Sequence, residues 1–172
     1  MNYLKLSVGV RVPSFVNAVV EVPLGQANKY EYDPKLQVFR LDRPLYASVH
    51  YPCEYGFIPS TLGDDGDALD ILVLADRPSF PGCVVEVRPV GMLDMVDQGV
   101  ADTKILAVAE HNPSYQQIKN YADIYPHLLK EIEHFFTVYK QLENKRTEIA
   151  GWRDAAQAKT LIKRCHRRFK KC

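Results

Sequence analysis

The sequence has almost no excess of one charge: 22 Lys and Arg stand against 21 Asp and Glu. No chain-wide pull on a polyanion follows from that, and no nucleic-acid partner is expected on charge alone. Nor is there an apolar run near the roughly 20 residues of a membrane-spanning helix, so no membrane partner is expected. The start, "MNYLKLSVGVRVPS", lacks the apolar core and small-residue cleavage pattern of a secretory leader. Cys53, Cys83, Cys165 and Cys172 form no CxxC pair. Their scatter argues against a disulfide framework or a zinc site and for reduced thiols in a cytoplasm. His50, His111, His127, His134 and His166 show no metal-ligand spacing, and structural roles are expected for them. Repeats and low-complexity tracts are missing too. What is left is a cytoplasmic protein of 172 residues, 47% hydrophobic, expected to form a single domain over 1–172.

The first hundred or so residues read as β. "FVNAVVEVP" (15–23), "NKYEYD" (28–33), "LQVFRLD" (36–42), "ILVL" (71–74), "CVVEVRPVGML" (83–93) and "TKILAVA" (103–109) carry β-branched and aromatic residues between Gly and Asp-Pro breaks. With no helical pattern between them, a barrel or sandwich is favoured over a βαβ sheet. After Asn112-Pro113 the period changes. Leu128, Leu129, Ile132, Phe135, Phe136, Tyr139 and Leu142 predict an amphipathic helix. A second helix is expected from an Asp154 N-cap to about Phe169, with Ala158, Leu161, Ile162 and Cys165 on one face.

The chemistry-bearing stretch is "LGDDGDALDILVL" (62–74). Asp65 and Asp67 point the same way in extended backbone, and a bend at Gly66 lets Asp70 join them. Converging carboxylates need a proton or a cation between them, and hard oxygen ligands suit Mg²⁺, Mn²⁺ or Ca²⁺. A solvated acidic turn is the alternative. An EF-hand is excluded, because counting from Asp65 the sixth position is Asp70 rather than glycine. A second acidic turn, "LDMVDQGVADTK", places Asp97 and Asp102 around Gly99, with Lys104 on the face of Asp102; an ordinary polar hairpin is its plain reading.

The accompanying residues are each unremarkable alone. Lys29 and Glu31 read as a surface ion pair. Arg43, before a proline, reads as solvated, while Tyr51, Tyr55 and Tyr139 read as packing residues, with Lys140 at the helix edge. Together, carboxylates for hard cations plus Lys, Arg and Tyr donors are what phosphoryl transfer requires. A rival class is an OB-like module for single-stranded nucleic acid, which calls for a basic, aromatic face; here the informative loops are acidic.

"VVEVP", "NKYEYD", "LDRPLY", "YPCEYGFIPSTLGDDGDALDILVL", "PGCVVEVRPVGML", "ADTKILAVA", "HFFTVYKQLE" and "GWRDAAQA" follow one another in an order and spacing that closely resembles the soluble family I inorganic pyrophosphatases of the short bacterial type. The resemblance covers nearly the whole chain. It implies a mainly β (α+β) fold, an OB-like five-stranded β-barrel with flanking helices, and Mg²⁺-dependent hydrolysis of pyrophosphate by direct in-line attack of water, without a covalent intermediate. Carried over, Asp65, Asp70 and Asp102 are ligands of the tightest metal, and Asp67 orients and deprotonates the water. Asp97 and Asp102 serve a substrate-bridging metal, with Glu21 and Glu31 near outer sites. Lys29, Arg43, Lys104, Tyr139 and Lys140 contact phosphate, Tyr55 and Tyr51 line the cavity, and a homohexamer is implied. Asp64 is expected to be solvated. Three features depart from the family pattern: Ala68 where proline is usual, Gln98 where an acid is usual, and the basic ending "KRCHRRFKKC".

Overall fold

The computed structural model describes residues 1–171. Its strands are β1 (Val16–Val22), β2 (Asn28–Asp33), β3 (Val38–Pro44), β4 (Glu54–Phe57), β5 (Asp70–Leu74), β6 (Val84–Asp97), β7 (Val100–Ala101), β8 (Lys104–Ala109) and β9 (Thr147–Asp154), and its two α-helices are α1 (Pro126–Val138) and α2 (Ala155–Phe169). Five strands follow one another as β1-β4-β5-β8-β6, and β6 pairs again with β1, closing a ring. Only the β5–β8 pairing in that ring is parallel. The small strand β7 and the longer β9 extend β6, while β2 and β3 form a separate hairpin.

"ILVL" is apolar without alternation because both faces of β5 are covered. Leu72 and Leu74 pack with Ile132, Phe135, Phe136 and Tyr139 on the α1 side. Ile71 and Val73 pack with Ala158, Ile162 and Cys165 on the α2 side. Strand β4 fits beside β1 because residue 56 is glycine: a Cβ there would stand 1.9 Å from the Val19 carbonyl oxygen. At the start of α2, Asp154 accepts from the Gln157 N–H at 2.9 Å and the Gln157 side chain reaches back to the Asp154 N–H. This capping box fixes where the helix begins.

The expected elements need several corrections. The first helix stops at Val138, with Tyr139 as its C-cap, and a 3₁₀ turn at Gln141–Glu143 follows. Leu142 therefore leaves the apolar stripe and is 64% exposed. Strand β3 starts at Val38 rather than Leu36, because the Asp33 carboxylate accepts from the N–H groups of Lys35 and Leu36 (both 2.9 Å) and holds a turn there. The sixth strand runs on to Asp97, and β4, β7 and β9 lie outside the expected strands. No helix among the described residues is long and apolar enough to cross a membrane.

Candidate active site

The ends of the ring strands meet the β2–β3 hairpin and the end of α1 around an open cavity of about 1150 Å³. Each wall element delivers a side chain because of where it begins or stops. Asp70 is the first residue of β5, Asp97 the last of β6 and Lys104 the first of β8, while Tyr139 and Lys140 follow the last turn of α1. Glu21 comes from β1, Lys29 and Glu31 from β2 and Tyr55 from β4. All of these line the cavity, as do Tyr51, Asp65, Asp67 and Asp102. Arg43 does not.

Arg43 instead donates from Nε to Glu143 at 2.8 Å and from Nη1 to Asp42, and its Nη2 is buried with no partner among the described residues. Glu143 and Asp42 are thus the residues that aim the guanidinium, and neither was singled out from the sequence. Asp42 adjoins Arg43, which is a weak signal. Nothing in a single sequence links positions 43 and 143.

Lys104 lines the cavity as a buried charge. Its side chain is 2% exposed and its Nζ donates to Asp70 at 2.6 Å and to Asp102 at 2.8 Å. Burial works against the ammonium, but these two carboxylates outweigh it and hold its pKa up. The Tyr55 hydroxyl donates to the same Asp70 oxygen at 2.8 Å. Burial, then Asp70, raises the Tyr55 pKa well above the ordinary phenol value, and burial does the same at Tyr51 and Tyr139. All three phenols stay protonated and can donate. Lys140 pairs with Asp97, whose Oδ1 is buried without a partner among the described residues, and Lys29 pairs with Glu31 and lies 3.7 Å from Asp42.

The aspartate loop closes on itself. Gly63 N–H donates to the Asp67 carbonyl at 2.7 Å, and Asp65 Oδ1 accepts from the Asp67 N–H at 3.0 Å. Gly66 takes φ +96°, a conformation that side-chain-bearing residues rarely adopt. Ala68 packs against Val19, Tyr32 and Phe57; the turn that proline usually stiffens is held here by the backbone bond. Asp64 is not simply solvated: it is exposed, yet it pairs with Arg164 at 3.3 Å and with Arg168.

The expected convergence of Asp65, Asp70 and Asp102 on one point is not seen. Among the described residues, no group of three or more His, Cys, Asp and Glu side chains is arranged to hold a metal ion as it stands. The physical reason is local: Lys104 lies between Asp70 and Asp102, and Asp65 is turned into its own loop. The charge balance nonetheless favours cations. Ten carboxyl groups (Glu21, Glu31, Asp64, Asp65, Asp67, Asp70, Asp94, Asp97, Asp102, Asp154) share the cavity with three ammonium groups (Lys29, Lys104, Lys140) and the Arg164 guanidinium. Burial, assisted by Asp70 and Glu31, pushes the Glu21 pKa up to about 8 despite the bond from the Tyr32 N–H. Partial desolvation, then Asp65, Asp70 and Glu31, raises that of Asp67. A surplus of hard oxygen donors and the orphaned Asp97 oxygen fit divalent cations.

A family model described as inorganic pyrophosphatase matches residues 18–170. An inorganic pyrophosphatase from Nostoc sp. is 49% identical over 158 residues, covering 92% of this chain and 94% of its own. One from Methanosarcina mazei is 50% identical over 151 residues, 88% of this chain and 89% of its own. The crystal structure of the inorganic pyrophosphatase from Thermus thermophilus superposes with a TM-score of 0.97 at 44% identity, covering 99% of both chains.

Proposed function

The chain belongs to the inorganic pyrophosphatase family, and from that premise we propose how its cavity hydrolyses pyrophosphate to two phosphates. The family is metal-dependent. In this reading the metal is Mg²⁺, which Asp65, Asp70, Asp97 and Asp102, together with Glu21 and Glu31, would hold. The observation that carries the assignment is the surplus of carboxyl groups in the cavity together with the buried, unpartnered Asp97 Oδ1. Bound divalent cations would neutralise phosphate oxygens and lower the pKa of a water from about 15.7 towards neutrality.

The chain's own residues do the rest. Asp67, exposed on the aspartate loop and flanked by other carboxylates, accepts the proton of the attacking water; the partial desolvation and neighbouring charges that raise its pKa favour taking up a proton. Lys29, Lys104 and Lys140 offer ammonium groups to the non-bridging and leaving oxygens, positions where negative charge develops. Arg43, held in direction by Asp42 and Glu143, stands behind the wall and contributes its positive charge from there. Tyr55 and Tyr139, kept protonated, donate hydrogen bonds to phosphate or to the carboxylates that position it. Water attacks phosphorus in line, and no side chain is phosphorylated.

Phosphate release from pyrophosphate, measured with Mg²⁺ and with chelator, tests this reading. Release that needs Mg²⁺ supports it; no release with Mg²⁺, or full activity in thoroughly metal-free protein, refutes it. The resemblance also implies a homohexamer, and light scattering on the purified chain tests the assembly.

A further inference from the structure

The basic ending of the chain is helical through Phe169, and one of its faces lies against the base of the aspartate loop. Arg164 and Arg168 are four apart, so both guanidinium groups project from one face of α2. Both reach the carboxylate of Asp64, the residue before Asp65. Two further bonds join the same segments. The Leu62 N–H donates to the Cys165 carbonyl at 3.1 Å, and His166 Nδ1 lies 2.7 Å from the Ser60 carbonyl. A carbonyl only accepts, so that ring nitrogen carries the proton. Ser60 in turn is tied to the N-terminal segment by its N–H to Leu4 (2.9 Å) and its hydroxyl to Leu6 (2.7 Å).

The loop is therefore a small ring with a fixed base and a working tip. Its base, Ser60 to Asp64, is held by α2. Its tip, Asp65 to Asp67, is closed only by the Gly63–Asp67 backbone bond and the Asp65 side chain. We propose that Arg164 and Arg168 are positioning residues: by holding Asp64 they set the loop that presents Asp65 and Asp67 to the cavity. The inference rests on the reading above for what Asp65 and Asp67 do, but the clamp itself is a property of the loop.

Two physical effects of the arginines oppose each other, and this makes the proposal testable. As bare charges near a cation site they would weaken cation binding, so removing them would tighten it. As a clamp they keep the carboxylates in place, so removing them would loosen it. Exposed ion pairs shift equilibria by only about two- to fivefold each. The double variant Arg164→Gln/Arg168→Gln is therefore expected to need roughly three to ten times more Mn²⁺ for half-occupancy, read by electron paramagnetic resonance without substrate. Amide hydrogens of Gly63 and Asp67 should exchange faster in the metal-free double variant, and kcat should fall by a similar factor. Lysines at both positions should restore only part of the loss, since an ammonium keeps the charge but not the fork. Asp64→Asn should reproduce the loss and add nothing to the double variant. Removing residues 170–172 keeps both arginines and should leave every curve in place. Unchanged or tighter Mn²⁺ binding with unchanged exchange in the folded double variant would overturn the proposal. A wild-type protein that releases no phosphate would overturn the functional reading instead, while the Mn²⁺ and exchange curves decide on the clamp.

Discussion

Replacing Lys104 by methionine separates the two duties of that side chain. Methionine keeps most of the volume and removes the charge. Breaking a fully buried ion pair by deleting one partner costs about 3–5 kcal/mol. Here Lys104 is 2% exposed but Asp70 and Asp102 keep 25% and 23% of their side chains in contact with solvent. The expected loss in chelator is accordingly about 2–3 kcal/mol. With divalent cations the balance changes, because the lysine charge opposes them. At about 5 Å and an effective dielectric near 20 that repulsion is roughly 6–7 kcal/mol before screening. An open cleft in salt reduces it to about 1–2 kcal/mol, close to a tenfold gain in cation affinity for the variant. By mass action, saturating Mg²⁺ should then return about 1.4 kcal/mol of the loss. Urea unfolding of both proteins, at one protein concentration, with chelator and with Mg²⁺, reads the difference directly. Turnover should fall in the same variant because a phosphate contact is gone. An equal stability loss in both buffers would refute the view that Lys104 holds together carboxylates meant for cations.

Three further outcomes are expected. Asp67→Asn should lower kcat by roughly 10²–10⁴ while the tightest metal stays bound; loss of that metal in a binding titration would make Asp67 a ligand instead. In chelator, a Glu21 carboxyl with a folded pKa near 8 against an ordinary 4.5 holds its proton more tightly when folded. Its stabilising contribution is present below about pH 4.5 and disappears as pH rises towards 8, so wild type should lose stability relative to Glu21→Gln across that window, and parallel pH profiles would rule this out. Gln98 is exposed in the turn between β6 and β7, and Gln98→Glu should lower the Mg²⁺ needed for half-maximal activity a few-fold at unchanged kcat; superimposable titrations would discard the charge effect.

Local signals were legible in the sequence and long-range ones were not. The bounds of β2 and the Asp154 cap of α2 could be read because each depends on residues within a turn of one another. Strand β4 was hidden by Gly56, which reads as a turn signal but serves a close approach to β1. Strand β9 was hidden because its alternation breaks at Ala150, where the register opposite Asp94 and Met95 slips. The closure of the ring through β1 and β6 joins segments some seventy residues apart, which no window of sequence contains. In the cavity, family resemblance supplied the cast of side chains. The lysines lodged between carboxylates, and the reach of Glu143 back to Arg43, depend on tertiary geometry alone.

The distribution of charge along the chain has a consequence beyond any single contact. After Asp154 there are seven Lys and Arg and no Asp or Glu, so with a side-chain charge of +1 for the whole sequence the first 154 residues carry a net −6. The folded molecule is thus an electric dipole, with α2 as its positive pole on one rim of an acidic cavity. An anion diffusing in from bulk solution meets attraction on that rim and repulsion elsewhere, so its encounters are funnelled to one side of the mouth. At physiological ionic strength the field reaches only about 8 Å. Steering therefore acts in the last few ångströms of approach, and a rise in salt shortens its reach before it touches the chemistry inside.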